Sequence, residues 1–128
     1  MSILGIVGLP HFWMMITGII LLAISIVSVT LHKPKKWFEI HRIFAMVGIV
    51  LTIIGIFVLT RLIIALVHQI IGIVVLIWLI GEIIGGFVAY KKKDPKMRKL
   101  HVLTGRLAFI TVIVVIILGI IGILAIPI

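Results

Sequence analysis

Apolar residues fill this chain in four long runs, and nearly all its charges sit in the breaks between them. The runs extend from about His11 to Leu31, from Phe38 to about Thr60, from about Val67 to Tyr90 and from Leu100 to about Ile126. Each reaches the ~20 residues that carry an α-helix across a ~30 Å hydrocarbon layer. Isoleucine and valine dominate them, yet four strands cannot close a barrel in a bilayer, whereas a helix satisfies its own backbone hydrogen bonds. The pattern predicts an all-α membrane protein: one domain over residues 1–128, with four transmembrane helices in an up-down-up-down bundle. The breaks agree. His32-Lys33-Pro34-Lys35-Lys36 separates the first two runs and Lys91 to Lys99, with Asp94-Pro95 inside it, separates the last two. The middle connection, Thr60 to Leu66, is short and apolar with one charge, Arg61, and reads as a tight turn at the interface. Connections this short set consecutive helices side by side and antiparallel.

Composition sharpens the reading. Hydrophobic residues make up 64% of the 128 and charged residues 12%, with a mean hydropathy of +1.52. Nothing in such a sequence can supply the polar exterior of a soluble domain, so the bilayer takes that part. The N-terminus lacks the basic start and small-residue cleavage site of a signal peptide, and the first run is expected to be retained. The absence of cysteine excludes disulfides, thiolate chemistry and cysteine metal sites.

Nine of the twelve Lys and Arg lie in the two basic loops, Arg42 and Arg106 follow just beyond them, and only Arg61 falls on the other side. The positive-inside rule then places both basic loops in the cytoplasm and both termini outside. A net charge of +9 does not imply nucleic acid here, because no soluble domain presents a groove. Attraction to anionic lipid headgroups is the expected consequence.

Four of the five histidines, His11, His41, His68 and His101, lie one near the start of each run. Alternate helices run in opposite directions, so His11 and His68 share the outer end and His41 and His101 the inner end. Each pair joins diagonal helices and faces across the bundle centre. Glycines follow the same faces. Offsets of +4, +7, +14 and +18 return to within about 40° of the starting direction. Gly18 is His11 plus seven, and Gly48 and Gly55 are His41 plus seven and fourteen. Gly72 and Gly86 follow His68 by four and eighteen, and Gly105 and Gly119 follow His101 by the same offsets. Gly122 lies about 60° from the same line. Glycine lets a large planar group approach the backbone, so these positions predict room for a cofactor at each level. Gly81 and Gly85 fall on another face as GxxxG, which fits helix packing or a homodimer contact.

Zinc prefers three or four close ligands. Iron in haem takes two axial ligands from opposite sides, commonly histidine. Two bis-histidine haem b groups per chain are therefore expected, an outer one on His11 and His68 and an inner one on His41 and His101, without covalent attachment because there is no CxxCH.

The residues here resemble the cytochrome b561 family, in a minimal four-helix form of prokaryotic type. His11-Phe-Trp-Met14 is similar to the family's His-Pro-x-x-Met; Lys35 and Lys36 precede the helix of His41 as in its next helix. His68-Gln-Ile-Ile-Gly72 is similar to its His-x-x-x-Gly, and His101-Val-Leu-Thr-Gly105-Arg106 to its His-x-x-x-Gly-Arg. The resemblance implies first-with-third and second-with-fourth histidine pairing. The chain departs from eukaryotic members in lacking two flanking helices, and their ascorbate site is not carried over. Bacterial four-helix members match the helix count but differ in ligand pattern, so their quinone and superoxide chemistry is not carried over either.

Glu82, at His68 plus fourteen, is a lone acid deep in a span. It reads either as a proton acceptor or quinol contact, the one candidate catalytic residue, or as a carboxyl hydrogen-bonded inside the bundle. Arg42 and Arg106 read as partners of the inner haem's propionates or as headgroup anchors, Trp13, Trp37 and Trp78 as interfacial or packing aromatics, and His32 as a surface residue. The expected function is transmembrane electron transfer from a cytoplasmic or quinol donor, or another small reductant, to an external acceptor such as ferric iron or a partner protein. The alternatives are a small transporter using Glu82 and a haem-bearing anchor subunit of a larger oxidoreductase.

Overall fold

The computed structural model describes residues 10–58 and 66–124. They form four helices: α1 (Pro10–Leu31), α2 (Trp37–Val58), α3 (Leu66–Lys92) and α4 (Pro95–Leu124). All four are long and apolar enough to cross a membrane, and no strand occurs among the described residues. The chain is an integral membrane protein built as a four-helix bundle. Arg61 and most of the Thr60–Leu66 connection lie outside the described residues.

The helix ends follow local chemistry. The second basic segment is far more helical than its composition implied, since α4 begins at Pro95 rather than Leu100. Asp94 caps it: Oδ1 accepts the Lys96 N–H at 2.8 Å and the carbonyl accepts that of Arg98 at 3.0 Å. Proline occupies the first helical position, where its missing N–H costs nothing. On the other side α3 continues through Lys91 and Lys92, cations that suit the negative end of a helix. The loop shrinks to Lys93 and Asp94. Lys93 and His32 both adopt a left-handed backbone (φ 52° each), so each hairpin turn starts with the reversal that commonly ends a helix.

The helices pack in order around a ring. α1 lies against α2 and α3 against α4, while α1–α4 and α2–α3 contacts join these two hairpins more loosely. The α1–α2 crossing is a backbone contact. A Cβ on Gly48 would lie 2.9 Å from the Gly18 carbonyl oxygen, and one on Gly18 would lie 3.0 Å from that of Gly48. Midway along the bundle Leu22, Ile49, Val75, Leu79, Ala108 and Val112 form a buried apolar layer contributed by all four helices. The outer faces are apolar too: Phe57 is 79% exposed and Ile77 65%. This is the inverse of a soluble bundle and the surface that lipid requires.

Candidate functional site

The structure brings the four span histidines together as two pairs, one on each side of the apolar layer. His41 of α2 and His101 of α4 face each other with ring centres 6.3 Å apart. At the other end His11 of α1 and His68 of α3 line one cleft between the hairpins, with Met15, Thr52, Gly72 and Val115 among its walls. The cleft encloses about 670 Å³ of empty space, counting its open side. Among the described residues, no three or more His, Asp or Glu side chains gather to hold a metal ion.

A single rule places the Nδ1 of every one of these rings. His11 Nδ1 lies 2.8 Å from the Gly55 carbonyl oxygen, and His68 Nδ1 3.0 Å from that of Val115. His41 Nδ1 lies 2.8 Å from Ser25 Oγ and 3.3 Å from the Ser25 carbonyl, and Ser25 Oγ in turn donates to the His41 carbonyl at 3.0 Å. His101 Nδ1 lies 2.9 Å from Glu82 Oε2. Each partner is the residue fourteen positions after the histidine of the other helix in the same hairpin. Fourteen residues of helix rise about 21 Å, so in an antiparallel hairpin this position arrives level with the opposite histidine. The acceptors of His11, His41 and His68 take the Nδ1–H, which fixes those tautomers and leaves Nε2 as a ligand, and the Glu82 carboxyl sets the same choice beside His101.

The glycines divide into classes that sequence spacing had merged. Gly86 and Gly119 lie against histidine rings of the neighbouring helix: their added Cβ atoms would meet His101 Cε1 at 2.9 Å and His68 Cε1 at 2.7 Å. Gly55 supplies the carbonyl for His11 and packs on Met14, while Gly72 lines the His11–His68 cleft beside Val115. A Cβ on Gly105 would lie 3.4 Å from Glu82 Oε2. Gly18 and Gly48 differ from the expected role as spacers for a planar group. The helices themselves take up that space, because a residue without a side chain lets backbones touch as readily as it lets a ligand approach. Gly81 and Gly85 meet nothing within 4 Å and face away from the other helices.

Glu82 is enclosed rather than open to a substrate. Its Oε1 accepts the Trp78 indole N–H at 3.1 Å, and its Oε2 is fully buried beside His101. The 2.9 Å contact between Oε2 and His101 Nδ1 is close but off the angle of a good hydrogen bond. Trp78 therefore does more than pack. Arg42 and Arg106 are exposed. His32 is also exposed, in the first turn, edge-on to Trp37 at 4.7 Å. Sequence reasoning missed Ser25, the partner of His41. A signal was present: Ser25, 1% exposed, is a polar residue seven positions after Gly18 on the same helix face.

The arrangement suits one planar metal group per level. Metal–nitrogen bonds of about 2 Å on both sides put the centres of two opposed imidazoles roughly 6 Å apart, close to the 6.3 Å between His41 and His101.

The family model described as "Eukaryotic cytochrome b561" matches residues 10–125. No curated protein matches the chain, and no solved structure does.

Proposed function

The chain belongs to the cytochrome b561 family, and from that premise we propose that it is a dihaem b-type cytochrome carrying electrons across the bilayer. The observation that carries this reading is the common orientation of the four rings, each with Nδ1 facing an oxygen from the other helix of its hairpin and Nε2 left over. Histidines that serve only as interfacial polar groups have no reason to share it.

His41 and His101 would hold one haem and His11 and His68 the other. Haem b, when bound, supplies the one-electron redox chemistry. The protein's own residues orient the ligands and exclude water. The Ser25, Gly55, Val115 and Glu82 acceptors keep each ring from rotating, and Gly86 and Gly119 let two rings lie on a neighbouring helix. The apolar layer of Leu22, Ile49, Val75, Leu79, Ala108 and Val112 keeps ions and water from passing between the levels. Two histidines per iron leave no position for oxygen, which favours electron transfer over oxygen chemistry.

The positive-inside rule supports a cytoplasmic His41–His101 end, where the basic loops lie, and on this reading the donor there is a small reductant or a membrane quinol. The acceptor at the His11–His68 end is external, ferric iron or a partner protein. A transporter acting through Glu82 is disfavoured, since both carboxylate oxygens already face protein donors.

A reduced-minus-oxidised absorbance spectrum of the purified protein, with haem quantified per chain, tests the proposal. Two low-spin haems b per chain are expected. A colourless protein, after expression with ample haem, would sink it.

A further inference from the structure

Six bundle-facing positions of α3 recur in α4 with one exception. His68, Gly72, Val75, Leu79, Glu82 and Gly86 correspond, thirty-three residues on, to His101, Gly105, Ala108, Val112, Val115 and Gly119. Histidine matches histidine, glycine matches glycine and buried aliphatic matches buried aliphatic. The mismatch is Glu82 against Val115, the positions that face the two histidines' Nδ1 atoms. His68 meets the neutral carbonyl of Val115, whereas His101 meets a carboxylate side chain. In the other hairpin both acceptors, Gly55 and Ser25, are neutral. The bundle thus has one acidic side chain among the four groups that face Nδ1, at the His41–His101 level.

On the dihaem reading, we propose that Glu82 is a positioning residue for His101 that holds the His41–His101 level at a lower reduction potential than the His11–His68 level. A carboxylate 2.9 Å from Nδ1 makes the imidazole a stronger electron donor at Nε2, and its negative charge favours the more oxidised, more positive state of the metal. The low dielectric around the buried Oε2 strengthens both effects. Trp78 fixes the carboxylate by donating to Oε1, so that Oε2 faces the ring. The favourable electron movement then runs from the His41–His101 level to the His11–His68 level. One electron leaves the first, which is oxidised by one equivalent, and enters the second, which is reduced by one; no bond breaks and no atom is transferred.

Potentiometric titration of the purified, haem-loaded protein, followed by absorbance, decides the matter. His11→Ala leaves the His41–His101 level to be read alone, and His41→Ala leaves the other. The midpoint of the His11→Ala protein is expected to be the lower of the two. Adding Glu82→Gln is expected to raise it, with Glu82→Asp restoring the low value, while Glu82→Gln in the His41→Ala protein leaves the midpoint unmoved. An inverted order of the two levels overturns the inference even if Glu82→Gln fails to load haem, and so does an equal shift at both levels or no shift at either. Wild-type protein that takes up no haem overturns the dihaem reading itself, which separates the two failures.

Discussion

Gly119 lies flat against the imidazole of His68: a Cβ in place of its hydrogen would sit 2.7 Å from Cε1 and 3.0 Å from Nδ1. Gly86 stands in the same relation to His101, at 2.9 Å from Cε1 and 3.1 Å from Nε2. Each glycine is eighteen residues, about five turns, past the histidine of its own helix. Each end of the hairpin is therefore built from one helix's histidine and the other helix's glycine.

Alanine at either position pushes a ring out of place, and the two substitutions act at opposite ends. Gly119→Ala is expected to deplete the His11–His68 level and Gly86→Ala the His41–His101 level, each taking haem from two per chain to about one. Displacing an outer partner of a metal ligand typically costs 10–100-fold in affinity, enough for this loss. Gly81→Ala and Gly85→Ala meet open space and should leave haem content at the wild-type value. Haem extraction, with the surviving level identified by its midpoint potential, reads all four variants; equal loss from both levels in Gly119→Ala protein counts against the assignment.

Gly48→Ala should behave differently, because its added methyl meets Gly18 backbone oxygen at 2.9 Å and Leu22 Cγ at 3.1 Å rather than a histidine ring. A backbone atom yields little, and overpacking of this kind costs about 1–3 kcal/mol. The expected result is a lower unfolding temperature in detergent, with neither histidine level lost in preference to the other. Selective loss of one level would instead give Gly48 a direct part in that site.

The contrast between Gly48 and Gly119 marks where the sequence stops being informative. Hydropathy alone gives the number of helices and most of their extents, because a span must be apolar and about twenty residues long. Histidine position and chain reversal give the two levels. Spacing places a glycine on a helix face, but a missing side chain admits a ligand, a ring or another backbone equally well, and only the packing distinguishes them. Ser25 was legible as a polar residue on the glycine face of α1, but its partner depends on the register of α1 against α2, which its own helix does not carry. The early start of α4 was legible in Asp94-Pro95 and was masked by the basic residues that follow.

Sidedness can be tested on a chain that contains no cysteine. Lys35→Cys lies in the exposed first basic turn, and Pro10→Cys is exposed at the start of α1. If the lysine-rich turns face the cytoplasm, an impermeant maleimide added to intact cells labels the cysteine at position 10 and not the one at position 35. Permeabilisation should make the second reactive as well. The reverse pattern would turn the bundle over, and with it the donor and acceptor sides.

Ser25→Ala tests the partner of His41 at the only level where both Nδ1 acceptors include a side chain. The hydroxyl lies 2.8 Å from Nδ1, but the Ser25 carbonyl is held at 3.3 Å by the helix and survives the substitution. The ring keeps an acceptor, at poorer distance, and its tautomer is retained. Haem affinity at the His41–His101 level should therefore fall by roughly 10-fold, at the mild end of what losing such a partner costs. At the His11–His68 level the acceptors are the carbonyls of Gly55 and Val115, beyond the reach of this change, and affinity should stay as it was. Titrating haem into the apoprotein and resolving the two binding steps checks both halves. A loss spread evenly over both steps would mean that Ser25 acts through the α1–α2 packing rather than through the ring it touches.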